Sequence, residues 1–461
     1  MIEANPKNVL SAFVSWTTEM PSDSVVQFGQ GKYEWEVSDS AQVTSHRVLI
    51  IGMYASSSYQ IMAMSSAGDA TGSATGNFTT GSLPAQIPAA TIGANDTTNT
   101  QPGWTLMNIL RASSPSAPVS NDPAVAVICD ATGQPVWYYI DGTSADYGGS
   151  TASYLTDSGI LIGPVYAGNG STGESPREVD FAGNTIWECQ DPKCGGTDQV
   201  SHDTIRLSNG NHVVVRWAGV GSGTLSTATD VDAAFEEIDS TGNVVWSVVF
   251  GELVPKPSGA DVDWCHGNSV TVDIPDDAVY INCRFMGLIK TTYTNPTSLV
   301  WYLPAAYGGA AGNMAFSPTS AQYSDTHDPE IHDDGTILVF DNGGYATMPG
   351  GPTTLHSRAV EYEIDENAMT ATLVWEFPGN FTVDSWYQNN WYNAYYRDAD
   401  RLANGNVLIT AGSVSQNAGD ARVFEVTKAD GRVVWKFELP PSYGVYRAER
   451  IVPPLVRAIT H

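Results

Sequence analysis

The chain has 461 residues and a formal net charge of −29, with only 15% charged side chains but 44 Gly, 26 Pro, 13 Trp and 21 Tyr. An acidic chain of this kind offers no phosphate-tracking groove, which argues against nucleic acid and anionic membrane surfaces as partners. No apolar run approaches the ~18 residues of a spanning helix, so membrane insertion is not expected. Many short strands and turns fit the composition better than long Lys/Glu-rich helices. The opening MIEANPKNVLSAFVSW lacks a basic stretch followed by an apolar one, so no signal peptide is visible.

In chain order, residues 1–81 read as a separate β-sandwich. NVLSAFVSWTT, DSVVQFG, HRVLIIGM, SYQIMAMSSAG and GNFTTG are short alternating or apolar runs split by Gly, Ser and Asp. With Trp16 early, Tyr59 before a late strand and a closing F-T-T, the segment resembles a fibronectin type III-like module. Residues 82–103 are expected to be a linker, too polar and too rich in Pro and Gly to pack.

From residue 104 the chain repeats itself. VICDATGQPVW, REVDFAGNTIW, FEEIDSTGNVVW, LIKTTYTNPTSLVW, EYEIDENAMTATLVW and FEVTKADGRVVW each run strand, turn, strand and end on Trp137, Trp187, Trp246, Trp301, Trp375 and Trp435. Between them lie second hairpins such as HDTIRLSNGNHVVVRW and RDADRLANGNVLIT. Two hairpins per repeat predict six four-stranded sheets, an all-β six-bladed propeller over residues 104–461. The last inner hairpin is split: WTLMNILRA is expected to pair with YGVYRAERI and close the ring.

The second hairpins also align candidate site residues. His202 and Gly210, His327 and Gly335, and Arg397 and Gly405 keep one and the same spacing from strand to turn. His266 starts the corresponding strand of another repeat, with Asn268 on its face and Arg284 nearly opposite across the hairpin. Inner strands border the central channel, so these residues should meet at one mouth. Three readings follow: histidines that merely satisfy backbone groups, a metal site, or an oxyanion pocket in which two arginines neutralise an anion while one imidazole attacks it. Against a metal, no Asp or Glu joins the shared position and Arg is a poor neighbour for a cation; no cofactor is called for. Among nearby aromatics, Trp264, Phe285, Trp391, Tyr395 and Tyr396 could stack on a ring, with packing between blades the expectation for at least half of them. Tyr446, Arg447 and Arg450 on the closing strand suit the channel or structural ion pairs.

The five cysteines are odd in number, so at least one is left without an intrachain partner. Cys189 and Cys194 flank QDPK, where a small disulfide loop is reasonable; zinc competes there, but the second cysteine pair is missing. Cys265 and Cys283 face each other across their hairpin, leaving a cross-strand disulfide open.

HDTIRLSNGN, DWCHGNSV with INCR, THDPEIHDDGTILVFDNG and YRAERI resemble the bacterial arylsulfate sulfotransferases, which do not use a phosphoadenosine cofactor. The resemblance covers about residues 100–460. It implies an exported enzyme, periplasmic or secreted, that moves a sulfuryl group from a phenolic sulfate donor to a phenolic acceptor. His327 in H-D-P-E-I would become transiently sulfated. His202, His266 and Arg284 would hold the sulfuryl oxygens, with Asn268 supporting and Arg397 and Tyr395 on the substrate side. Cys189–Cys194 would match the family's short disulfide loop. A homodimer stays open. The alternatives are a non-catalytic propeller that binds anionic glycans or aryl sulfates, and a sulfatase with water as acceptor.

Overall fold

The computed structural model describes residues 1–111, 125–140, 150–164, 175–189, 200–218, 231–307, 312–343, 356–383, 387, 397–412 and 421–459. The protein is all-β, with a six-stranded N-terminal sheet followed by six further sheets of four or five strands, almost all antiparallel. Each repeat becomes one sheet, and the repeated tryptophans lie on the strands Pro135–Ile140, Thr185–Glu188, Val244–Val249, Leu299–Pro304, Thr370–Phe377 and Val433–Glu438, the fourth of each sheet.

The turns of the inner hairpins explain the shared spacing. Gly210, Gly335 and Gly405 donate their N–H groups to Leu207, His332 and Leu402 at 2.8–3.0 Å, each with φ between +82° and +87°. Only glycine adopts that conformation without a Cβ penalty, so the same turn recurs and sets the same register in each sheet. In the outer hairpins an aspartate takes over: the carboxylate of Asp239 accepts from the N–H groups of Thr241 and Asn243, and Asp130 does the same for Thr132 and Gln134.

Apolar clusters fill the spaces between successive sheets. Met107, Val127 and Tyr138 pack with Leu408, Val423 and Trp435, which joins the last sheet to the first. The indoles staple the same junctions: Trp137 donates to Phe181 O, Trp375 to Lys428 O and Trp435 to Ala131 O, at 2.9–3.1 Å. Ala448–Ile451 pairs with Trp104–Arg111 as expected, so the end of the chain supplies the inner strand of the first sheet. Trp435→Phe should cost about 1 kcal/mol, because it removes the hydrogen bond to the half-buried Ala131 carbonyl. Trp246, whose indole has no hydrogen-bond partner among the described residues, should lose less on the same change. Calorimetric unfolding of both variants checks this.

In the N-terminal segment the runs on either side of Pro21 form a single strand, Ala12–Gly29, with register shifts at Thr17/Ser22 and Ser22/Ser24. A bulge absorbs a proline that a regular ladder would not. The segment packs against the sheets that follow: Trp35 meets Trp104 at 5.6 Å, and one apolar cluster runs from Val14 and Phe28 to Ile128 and Ile160. The supposed linker also packs in part, since Thr91–Asn95 adds a fifth strand beside Val433–Glu438.

Candidate active site

Four first strands bring the site together. Val200–Arg206, Thr326–Ile331 and Arg397–Arg401 carry His202, His327 and Arg397, and His266 immediately precedes Gly267–Asp273. The ladder slips at each histidine, between Val200 and Thr204, Gly267 and Ser269, and His327 and Glu330. His202, His266 and Asp328 have φ of +66°, +54° and +43°. Such left-handed non-glycine residues cost about 1–3 kcal/mol each and persist where the surroundings enforce them. Bulges re-aim side chains, and here the rings of His202 and His266 meet with centroids 4.7 Å apart. Arg284 links the parts through its backbone: its N–H donates to His266 O and its carbonyl accepts from Thr326 N–H, both at 3.0 Å.

Each imidazole has a different Nδ1 partner. His202 meets the Ser201 hydroxyl, His327 the Asn342 side-chain oxygen at 3.1 Å, and His266 the Asp263 carboxylate at 2.5 Å. Burial pushes the pKa of His202 well below the usual imidazole range, aided by His266 and Arg284. Burial does the same to His327, reinforced by Arg284, His202, Arg397 and His266. A neutral imidazole held through Nδ1 keeps Nε2 as a lone-pair nucleophile. His327 therefore sits in the field of two guanidinium groups and two other imidazoles, where an anion would be welcome.

The arginines are themselves organised. Arg284 forms a fork with buried Asp325, through Nε at 2.8 Å and a terminal nitrogen at 3.0 Å. Arg397 is fully buried, lies 5.0 Å from the centre of the Phe340 ring and donates to the Ser357 hydroxyl at 3.3 Å. Asn268 is turned inward: its amide donates to Thr326 O and its oxygen accepts from Asn282, both at 2.7 Å, which fixes the strand that carries His327. Phe285 packs 5.5 Å from the His266 ring, whereas Trp264 packs against Phe250. Tyr446 lies 6.2 Å from His202, and Arg450 is structural, paired with Glu425 at 3.4 Å. Tyr395, Trp391 and Tyr396 lie outside the described residues.

Carboxylates join the site away from the repeated position. Asp263 and Asp325 lie just before the strands rather than at the repeated position, so counting back from the turn misses them. Asn342 was hidden for a different reason: it follows the strand Thr336–Asp341, across the ladder from His327. Behind the histidines, Arg447 is buried between Asp203 at 3.3 Å and Asp328 at 2.5 Å, with Tyr154 stacked under it. Burial lifts Asp203 and Glu449 to about 7 and lowers Arg447 to about 9. A cavity of about 640 Å³ opens past Asp328, Glu330, Asp400 and Glu449 towards the turn ends of the strands, and the clustered histidines are not in its lining. The convergent imidazoles and guanidiniums lie apart from that cavity's lining. Among the described residues no group of three His, Cys, Asp or Glu is arranged to hold a metal ion.

Cys265 and Cys283 form a disulfide. It joins the residue before His266 to the residue before Arg284, and so clamps both to one hairpin end. Cys189 is also disulfide-bonded, while its expected partner Cys194 lies outside the described residues. Cys129 is a buried free thiol whose pKa is raised by burial. Cys283→Ser should slow turnover by up to about 100-fold, because small misplacements of reacting groups are expensive. Kinetics of that variant, with intact-mass alkylation to count thiols, check this.

The family model "Arylsulfotransferase (ASST)" matches residues 94–447. An arylsulfate sulfotransferase AssT from Lelliottia amnigena is 26% identical over 167 residues, 31% of this chain and 28% of that protein. The protein of the same name from Escherichia coli O6:H1 is 29% identical over 153 residues, 28% of this chain and 25% of its own. The matched stretches thus span about a quarter of either relative. A quinonprotein alcohol dehydrogenase-like protein from Bacteroides thetaiotaomicron aligns over 95% of this chain and 94% of its own, at 9% identity and a TM-score of 0.37. The Dos1 propeller aligns over 74% of each chain at 11% identity and a TM-score of 0.33. Neither structural likeness is close enough to argue from. The family match covers most of the chain, including every histidine and arginine of the cluster, and the chain belongs to the arylsulfotransferase (ASST) family.

Proposed function

We propose that this chain is an aryl-sulfate sulfotransferase that moves a sulfuryl group from a phenolic sulfate ester to a phenolic acceptor through a sulfohistidine on His327. The observation that carries this reading is one buried imidazole, held at Nδ1 by Asn342 and with its pKa lowered by burial and by Arg284, His202, Arg397 and His266. In the first half-reaction His327 Nε2 bonds to sulfur and the bond from sulfur to the aryl oxygen breaks. In the second, the acceptor oxygen bonds to sulfur and the bond to Nε2 breaks. Sulfuryl transfer resembles phosphoryl transfer in spreading negative charge over three equatorial oxygens, so its catalysis is mainly charge stabilisation and positioning. Arg284, His202 and His266 supply that charge and those donors, Arg397 deepens the field, and Asn268 holds the strand of His327.

The six repeat sheets fit a six-bladed propeller over residues 104–461, with the cluster at one mouth of its channel. The Cys265–Cys283 disulfide supports an oxidising compartment, periplasmic or secreted. Among the described residues no helix is long and apolar enough to cross a membrane. The test is an assay with 4-nitrophenyl sulfate, with and without phenol. Phenol-dependent release of 4-nitrophenol with formation of phenyl sulfate is expected. Release that ignores phenol would mean a sulfatase, and no release would mean a binding protein.

A further inference from the structure

We infer that Asp263 is the positioning residue that makes His266 the proton carrier of the transfer. The inference rests on the sulfotransfer reading above and assigns the proton within it. The three imidazoles are alike in type and close in space, and their Nδ1 partners distinguish them: a hydroxyl for His202, a side-chain amide for His327, a carboxylate for His266. A hydroxyl or an amide orients a ring but gains little when the ring becomes positive. A carboxylate both fixes the proton on Nδ1 and stabilises the imidazolium formed at Nε2, as in the acid–base pairs of hydrolases.

Asp263 is built for that single task. Its Oδ2 lies 2.5 Å from His266 Nδ1, while its Oδ1 is buried with no hydrogen-bond partner among the described residues. Its backbone is tied to the adjoining sheet by a bridge to Val231, whose N–H donates to Val262 O at 2.9 Å. The ring it faces is equally constrained, by the +54° φ of His266, by the Arg284 N–H on its carbonyl and by the disulfide at Cys265. Nδ1 is thereby committed to Asp263, and Nε2 is the nitrogen left for the substrate. His202 and His327, kept neutral by burial, do not compete for the proton.

The proton then balances over both halves. His266 enters protonated on both nitrogens. As His327 Nε2 displaces the aryl oxygen from sulfur, that oxygen takes the bonding electron pair and the proton from His266 Nε2. The neutral His266 next accepts the proton of the phenolic acceptor while the acceptor oxygen attacks sulfur. The S–N bond breaks, its electron pair returns to His327, and His266 is again the imidazolium.

The experiment compares the unmodified enzyme with Asp263→Asn on 4-nitrophenyl, phenyl and 4-methylphenyl sulfates. The amide preserves the shape and a hydrogen bond to Nδ1 but removes the charge. 4-Nitrophenolate leaves with little help, so that donor should lose only a few-fold. The poorer leaving groups should lose about 100-fold or more, the usual worth of a general acid. Asp263→Glu, which retains the carboxylate, should recover part of the loss on the slow donors, and His266→Asn should reproduce the steep dependence on donor. An equal loss on all three donors, or none, in Asp263→Asn or in His266→Asn would overturn the inference while leaving sulfotransfer standing. No transfer by the unmodified enzyme from any donor would remove both.

Discussion

His327→Ala is expected to lose nearly all transfer, by at least about 10⁴-fold, the scale seen when a covalent nucleophile is removed, with the fold intact. On the proposed mechanism no other imidazole is placed to substitute for His327. His202 points its Nδ1 at Ser201, and His266 is engaged by Asp263, so neither imidazole stands where His327 does. Alanine removes the proposed acceptor of the sulfuryl group but keeps the guanidinium groups, so donor binding should survive the loss of turnover. In the unmodified enzyme, double-reciprocal plots at several acceptor concentrations should be parallel, the mark of a covalent intermediate divided between two substrates. Intersecting lines, or substantial turnover by His327→Ala with an unchanged melting profile, would remove His327 from the centre of the reaction.

The second large effect is expected at the buried fork between Arg284 and Asp325. Arg284→Lys keeps the positive charge but replaces a planar donor pair with a single ammonium, which cannot make both the 2.8 Å and 3.0 Å bonds. A loss of about 2–4 kcal/mol in transition-state stabilisation should follow, comparable to deleting one oxyanion donor. Asp325→Ala should differ in kind. It leaves the guanidinium buried without its counter-charge, and breaking such a pair costs about 3–5 kcal/mol of stability. Steady-state kinetics on the first variant and denaturant unfolding on the second separate these outcomes. If Arg284→Lys is kinetically silent, the fork serves only the fold.

Much of this arrangement is legible without coordinates, for a physical reason. Strand period and turn geometry are local, so the constant distance from Gly210, Gly335 and Gly405 places His202, His327 and Arg397 at corresponding points of three sheets. The partners of those residues are not local in the same sense. Asp325 reaches Arg284 from the next repeat, and Asn342 meets His327 only through the register of two strands. The bulges were also silent, because His202, His266 and Asp328 adopt left-handed backbone without the glycine that usually advertises it. Thr91–Asn95 looked unpackable for the same kind of reason: its ladder partner, Val433–Glu438, is synthesised some three hundred residues later.

The pairing of Ala448–Ile451 with Trp104–Arg111 has a temporal consequence. A ribosome adds residues from the N-terminus at about 5–20 per second, so the first sheet waits without its inner strand until the rest of the chain has been made. During that interval Trp104–Arg111 exposes one edge of unpaired backbone, a surface that other strands can join in error. The strand Ala448–Ile451 is thus a latch that closes late. Arg447, which bridges the carboxylates beside His202 and His327, lies just before it, so the electrostatic ground beneath the histidines is laid only as the newborn chain shuts the circle.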